Sequence, residues 1–265
     1  MIKLIVTDMD GCLLDGAGCM PGDFDETFQR MEEKDVIFAA ASGRSITGLQ
    51  KPFGETAHKM AFLSDNGACA YYKEECLFSH TIAREDYLPV LLEARKYRDL
   101  IPVVCGVKDA WIEDADKLTQ KDIAEISKYY PTWKECRYEE IPEDVIKVAL
   151  LYFDDIEKNI YPVFNRFSNE RLLCKVTAFV WIDLFDASVS KGTGVAALQE
   201  RLGIRKEETV VFGDYLNDIP MADHAIRSFA PSNAHPDVLE RFTDVIGSNE
   251  SGAVTKTIRD IISQA

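Results

Sequence analysis

The chain has 265 residues, 46% of them hydrophobic and 28% charged, with a net charge of −15. That is enough apolar material for a large core, while the acidic surface repels phosphate backbones and argues against a nucleic-acid partner. No apolar run approaches the ~18 residues of a membrane span, so neither membrane nor nucleic acid is expected as a partner.

The first segment, "IKLIVTD" at 2–8, is a nearly continuous apolar run and predicts a strand buried on both faces of a parallel sheet. Helical spacing of Phe24, Phe28 and Met31 predicts an amphipathic helix over 23–34. "VIFAAASG" (36–43) and "MAFLSDNG" (60–67) read as two further buried strands, and 68–80 as a hairpin turning at 73–75. Strand, helix, strand implies a parallel α/β sheet.

The texture changes near Arg84. Helices are predicted at 85–98, 120–129 and 156–168, with strands at 101–105, 110–113, 145–153, 172–178 and 180–185. Helices segregated from hairpin-like strands suggest an α+β insert. The α/β rhythm returns at Lys191, with a helix at 192–203, a strand at 209–214 and helices at 217–225 and 253–263. The predicted fold is therefore α/β: a doubly wound, Rossmann-like parallel-sheet core made of 1–83 and 186–265, with an α+β domain inserted at 84–185.

In such sheets chemistry sits beyond the carboxyl ends of the strands. The first predicted strand ends in Asp8 and Asp10, the second in Ser42, Gly43 and Arg44, and the late one in Asp214, with Asn217 and Asp218 just after. Lys191 opens the helix before that late strand. Converging carboxylates repel one another. A hard cation relieves this, and Mg²⁺ takes one or two carboxylates plus substrate phosphate. Lys191 can neutralise another charge. Ser42 offers a hydroxyl and Gly43 an amide, both suited to a phosphoryl oxygen. Gly11 permits a tight turn after Asp10. The parts describe a phosphoryl-transfer site with a carboxylate placed to attack.

The constellation resembles the haloacid-dehalogenase superfamily of phosphohydrolases. "DMDG" (8–11), "ASGR" (41–44), Lys191 and "GDYLND" (213–218) are similar to its four motifs, in order. The insert lies between the second and third motifs, as in the class IIB cap, or Cof-type, group. "SDNGA" (64–68), "SKG" (190–192) and "SNA" (232–234) are also similar to that group. The resemblance implies a phosphomonoesterase of small phosphorylated metabolites such as sugar phosphates. It makes Asp8 the nucleophile that forms an aspartyl-phosphate, and Asp10 the acid and then base. Mg²⁺ is held by Asp8, the carbonyl of Asp10 and Asp214, with Asp218 supporting the shell. Ser42, Gly43 and Lys191 bind phosphate, and Asn217 contacts phosphate or metal-bound water. Arg44 either binds substrate or pairs with a surface carboxylate. The inserted cap selects the substrate. One departure is visible: the family's usual Thr after the first glycine is Cys12 here.

Other readings compete. A sugar-phosphate phosphomutase shares the cap class. "GTGVAA" (192–197) fits a dinucleotide fingerprint with Asp214 as ribose acid, the reading of an NAD-dependent oxidoreductase. It lacks the strand that should precede it and leaves Asp8, Asp10 and Ser42 unexplained. A phosphate-accepting receiver needs no insert, and a silent phospho-ligand binder needs no second acid beside Asp8. The four histidines lack ligand spacing, and Trp111, Trp133 and Trp181 read as core. Seven scattered cysteines without a CxxC pair read as reduced thiols, and with no leader segment at the start the expected location is cytoplasmic.

Overall fold

The computed structural model describes residues 1–263. Along the chain come β1 (Leu4–Asp8), α1 (Phe24–Glu33), β2 (Ile37–Ala41), α2 (Ile46–Gln50), β3 (Ala61–Ser64), β4 (Cys69–Tyr72) and β5 (Glu75–Ser79). Next are α3 (Arg84–Ala94), β6 (Ile101–Gly106), β7 (Ala110–Ile112), α4 (Gln120–Tyr129), β8 (Lys134–Glu135), β9 (Val145–Leu151), α5 (Ile156–Asn159), α6 (Tyr161–Phe164), β10 (Leu172–Ala178) and β11 (Trp181–Asp186). The last stretch holds α7 (Lys191–Leu202), β12 (Thr209–Phe212), β13 (Arg227–Pro231), α8 (Pro236–Arg241), β14 (Asp244–Ile246) and α9 (Ala253–Ser263). The chain divides into two units, Met1–Phe78 with the segment from Ser190 onward, and Ser79–Val189. The breaks fall outside the 84–185 segment read from the sequence.

The first unit carries an eight-stranded sheet in the order β14-β13-β12-β1-β2-β3-β4-β5. From β14 to β3 all neighbours are parallel, and β4 joins β3 antiparallel. The sheet is mixed, with the parallel part doubly wound. β1 is central and buried along its whole length, which is why its sequence shows no polar alternation. On one face Leu4, Val6, Ala39 and Leu63 pack with Val195 and Leu198 of α7. On the other, Phe24 of α1 meets Phe38 of β2 edge-on at 5.2 Å, and Phe53 meets Phe62 of β3 at 5.6 Å. From β1 the chain winds one way through β2 and β3. It returns on the other side through β12, β13 and β14. The order therefore reverses between β1 and β12, where a doubly wound sheet opens its crevice.

Several elements differ from the sequence reading. Residues 216–224 form a 3₁₀ segment, Leu216–His224, with Pro220 inside it; a proline there removes an α-helical hydrogen bond and clashes with the preceding turn. Pro162 likewise splits the expected 156–168 helix into α5, α6 and a 3₁₀ turn at Asn165–Phe167. The first helix of the insert stops at Ala94. β13, β14 and α8 were not foreseen. They are short, and β13 opens on the exposed Arg227, so no apolar run announces them.

The second unit has a six-stranded sheet, β10-β11-β9-β6-β7-β8, antiparallel except where β7 meets β8. Val90 and Leu91 of α3 and Ile156, Ile160 and Phe164 pack with Val148, Leu150, Ile182 and Leu184 of its strands. Trp111 and Trp181 are buried; their indole N–H groups donate to Glu143 at 2.6 Å and Glu125 at 3.1 Å.

Candidate active site

β1 delivers Asp8, and the chain must reverse at once. Gly11 makes the turn with φ +84°, and a Cβ on it would stand 2.5 Å from Asp214 Oδ2, so any other residue would displace that carboxylate. The backbone N–H of Leu13 bonds Asp8 O at 3.3 Å and that of Leu14 bonds Met9 O at 2.8 Å. Asn233 Nδ2 donates to Gly11 O at 2.8 Å, and Asn249 Nδ2 to Leu14 O at 2.9 Å. The turn is thus held by two asparagines from the far end of the chain. Only "SNA" hinted at the first of them.

Lys191 opens α7, whose N-cap Ser190 accepts from Thr193 N. Its side chain is 1% exposed and lies between two carboxylates. Nζ donates to Asp8 Oδ1, and to Asp218 Oδ1 at 2.6 Å. Burial alone would loosen the Lys191 proton; the charges of Asp218 and Asp8 outweigh it, and the ammonium holds its proton more tightly than usual. Asp218 uses its other oxygen, Oδ2, to accept the backbone N–H groups of Asp214 at 2.9 Å and Tyr215 at 3.0 Å. Both Asp218 oxygens therefore have partners within the protein.

Asp8, Asp214 and Asp218 each offer a carboxylate oxygen within 4.8 Å of the others. Burial pushes the Asp8 carboxyl well up, Lys191 opposes this, and the charges of Asp218 and Asp214 add to it. Burial, with the charge of Asp218, pushes Asp214 up to about 6. Asp214 Oδ1 is buried with no hydrogen-bond partner, an arrangement that costs free energy unless something faces that oxygen. An all-oxygen donor set with a surplus of negative charge fits a hard divalent cation such as Mg²⁺. Asp8 and Asp214 are the carboxylates left to face it, since Asp218 is committed to Lys191 and the backbone.

The Asp10 carboxylate stands outside this cluster. Its side chain is 58% exposed and paired with Arg44. Arg44 Nε donates to Oδ2 at 3.0 Å and Nη2 to Oδ1 at 2.5 Å. Of the two readings of Arg44, the structure has the carboxylate pairing, and the carboxylate is that of the motif loop itself.

Ser42 follows β2, beside β1, where Asp8 is in register with Ala41. It is buried, and its Oγ accepts from Arg44 N at 3.2 Å. A turn at 65–67 backs this loop: Asp65 N donates to Arg44 O and Asn66 N to Ser42 O, each at 2.9 Å. Asn217, exposed at the fourth motif, donates from Nδ2 to Asn66 Oδ1 at 3.0 Å. The sequence reading quoted "SDNGA", which contains Asn66, and gave that residue no role.

The glycines of "GTGVAA" lie inside α7. Cβ atoms on Gly192 and Gly194 would stand 2.5 Å from Pro220 O and 2.8 Å from Gly67 Cα. Close helix packing explains their spacing, and the dinucleotide reading is set aside. Among the described residues no histidine joins a metal-ligating group, and no helix is long and apolar enough to cross a membrane.

A family model described as haloacid dehalogenase-like hydrolase matches residues 5–258. The chain is 26% identical over 262 residues to the 5-amino-6-(5-phospho-D-ribitylamino)uracil phosphatase YbjI of Escherichia coli (strain K12), covering 98% of this chain and 96% of that protein. Two solved structures share the fold. One is TM0651 from Thermotoga maritima, with TM-score 0.85, 19% identity and coverage of 98% and 97%. The other is the subclass IIB sugar phosphatase BT4131, with TM-score 0.75, 19% identity and 98% of each chain covered.

Proposed function

Since the chain belongs to the haloacid dehalogenase-like hydrolase family and is a phosphatase, we propose that it is a Mg²⁺-dependent phosphomonoesterase of small phosphorylated metabolites, sugar phosphates among them. The observation that carries this is the buried Lys191 held between Asp8 and Asp218, next to the unpartnered Asp214 Oδ1. A structural ion pair would not leave a third carboxylate oxygen buried and unsatisfied.

Asp8 attacks phosphorus, and the bond to the ester oxygen breaks. The acid form of Asp10 gives its proton to that departing oxygen, and Arg44 grips the carboxylate that results. That carboxylate then takes a proton from water, whose oxygen attacks the phosphorus of the aspartyl-phosphate. Inorganic phosphate leaves and Asp8 is regenerated. Lys191 holds one Asp8 oxygen, turning the other toward the substrate, and balances charge as phosphate arrives. Ser42, Gly43 and Asn217 supply donors to the phosphoryl oxygens, and Arg44 orients Asp10. Mg²⁺, when held by Asp8 and Asp214 with Asp218 as support, supplies charge neutralisation of the phosphoryl group.

The unit inserted between the second and third motifs sets which ester reacts. The related E. coli phosphatase makes 5-amino-6-(5-phospho-D-ribitylamino)uracil a substrate to test beside sugar phosphates, small phospho-acids and nucleotides. The cysteine pattern of the sequence supports a cytoplasmic setting.

The test is phosphate release from that panel with Mg²⁺, for the wild type and Asp8→Asn. The wild type should turn over at least one ester. The folded variant should lose roughly a thousandfold or more, because the amide cannot form the phosphoenzyme. A variant that keeps most of its activity would overturn the assignment.

A further inference from the structure

The turn at 65–67 touches three of the four motif segments at once. Its backbone donates to Ser42 O and Arg44 O. Gly67 has φ +92°, and a Cβ on it would stand 2.3 Å from Ser190 O, so the turn is pressed against the start of the Lys191 helix. Asn66, between these contacts, has φ 59° and ψ 31°. Asn is among the few residues that adopt this left-handed conformation readily.

The Asn66 side chain completes the junction. Its Oδ1 accepts from Asn217 Nδ2 at 3.0 Å. Its Nδ2 lies beside the Ser42–Gly43 loop, 3.1 Å from where a Cβ of Gly43 would be. An amide nitrogen carries two N–H groups. With one Asn217 N–H committed to Asn66, the second has a fixed direction. An exposed asparagine without this anchor would sample several rotamers, and any ligand using it would bear the cost of ordering it.

We infer that Asn66 is a positioning residue of the phosphate pocket: it holds the Asn217 amide in the orientation that donates to the phosphoryl group and couples it to the Ser42–Gly43 loop. This rests on the phosphatase reading above, with Asn217 as a phosphate donor. It accounts for a side chain that lies outside the four motifs and the metal cluster. It also explains why an asparagine follows Asp65 where glycine would satisfy the backbone equally well.

The experiment compares the wild type with Asn66→Gly, which keeps the left-handed backbone and removes the amide. Asn217→Ala and the double variant complete the cycle. The readouts are KM, kcat and the inhibition constant of inorganic phosphate, with thermal unfolding as a check on the fold. Asn66→Gly should weaken phosphate inhibition and raise KM by about threefold to tenfold, as expected for loss of one oriented hydrogen bond, with a smaller change in kcat. Because Asn66 acts through Asn217, the double variant should be no weaker for phosphate than Asn217→Ala alone.

An unchanged inhibition constant in Asn66→Gly overturns the inference, as do losses that simply add. Should Asn66→Gly fail to fold, Asn66→Asp decides. It keeps the acceptor that holds the Asn217 amide, so adding Asn217→Ala should weaken phosphate inhibition as much on top of Asn66→Asp as it does in the wild type; a clearly smaller weakening would count against the proposal. A wild type that releases no phosphate from any ester would overturn the phosphatase reading itself, an outcome distinct from all of these.

Discussion

Arg44 grips both oxygens of Asp10, at 3.0 and 2.5 Å, across the mouth of the first motif loop. The fork fixes the plane of the carboxylate as well as its position. Since the Asp10 side chain is 58% exposed, the pair adds little to stability, and its effect should fall on proton transfer. Arg44→Ala should lower kcat by roughly tenfold to a hundredfold and leave the unfolding midpoint nearly unmoved. Arg44→Lys keeps the charge without the fork and should recover only part of the rate. Steady-state kinetics and thermal unfolding of both variants check this; equal rates for Arg44→Lys and wild type would show that charge alone matters.

Lys191 should be as necessary to the fold as to the chemistry. Removing it strands Asp8 and Asp218, two buried carboxylates. Breaking a buried pair from one side costs about 3–5 kcal/mol. Lys191→Met should show a loss of that order in denaturant unfolding at neutral pH. Adding Asp8→Asn to Lys191→Met should recover part of it, because one of the stranded charges is gone. A single variant as stable as wild type would mean that Lys191 is not the counter-charge of the site.

Mg²⁺ should stabilise the protein in a pH-dependent way. Asp214 is pushed up to about 6 in the folded chain, against about 3.9 unfolded. Between those values the folded state holds a proton that the unfolded state has lost. This contribution to metal-free stability is therefore lost as pH rises through that window. A cation at the site competes with the same proton. The shift in unfolding temperature on adding Mg²⁺ should be large at pH 7–8 and shrink below pH 6. A shift that is flat from pH 5 to 8 would remove Asp214 from the metal site.

Cys12 should tune the loop and take no part in the chemistry. It is fully buried, and burial, with the charges of Asp8, Asp218 and Asp214, pushes its thiol far up, so the reactive thiolate is absent. Sγ lies 3.7 Å from Thr7 Oγ1, whose hydroxyl donates to Asp8 O at 2.8 Å. A hydroxyl in place of the thiol would donate a better hydrogen bond to Thr7. Cys12→Thr should leave turnover level or raise it by up to about tenfold, with peroxide changing neither protein. A hundredfold loss in Cys12→Thr would make the thiol essential.

The active-site segments were legible because each is a local contradiction. An apolar run ending on Asp8 and Asp10 cannot be a surface loop. The same logic marks Asp214 after β12 and Lys191 at the start of α7. The order of these segments along the chain is enough to place them at one end of a parallel sheet. The helix boundaries of α1 and α9 were also close, since amphipathic periodicity is itself local. Where proline interrupts that periodicity, at Pro162 and Pro220, the reading expected unbroken α-helix and the chain forms short helices and 3₁₀ turns over nearly the same residues.

What the sequence by itself determined is which residue types stand at the strand ends, and hence the class of chemistry. Tertiary structure alone decided how those residues are paired. Asp218 is tied up by Lys191 and two backbone N–H groups, Asp10 is turned to Arg44, and Asp214 keeps an oxygen free of partners. These are pairings across the fold: Lys191 meets Asp8 from 183 positions away, and Asn217 meets Asn66 from 151. Periodicity and spacing report each segment's neighbours along the chain. The partner of a buried charge is chosen by which strand ends the sheet order brings side by side, and that order is settled only when the whole core packs.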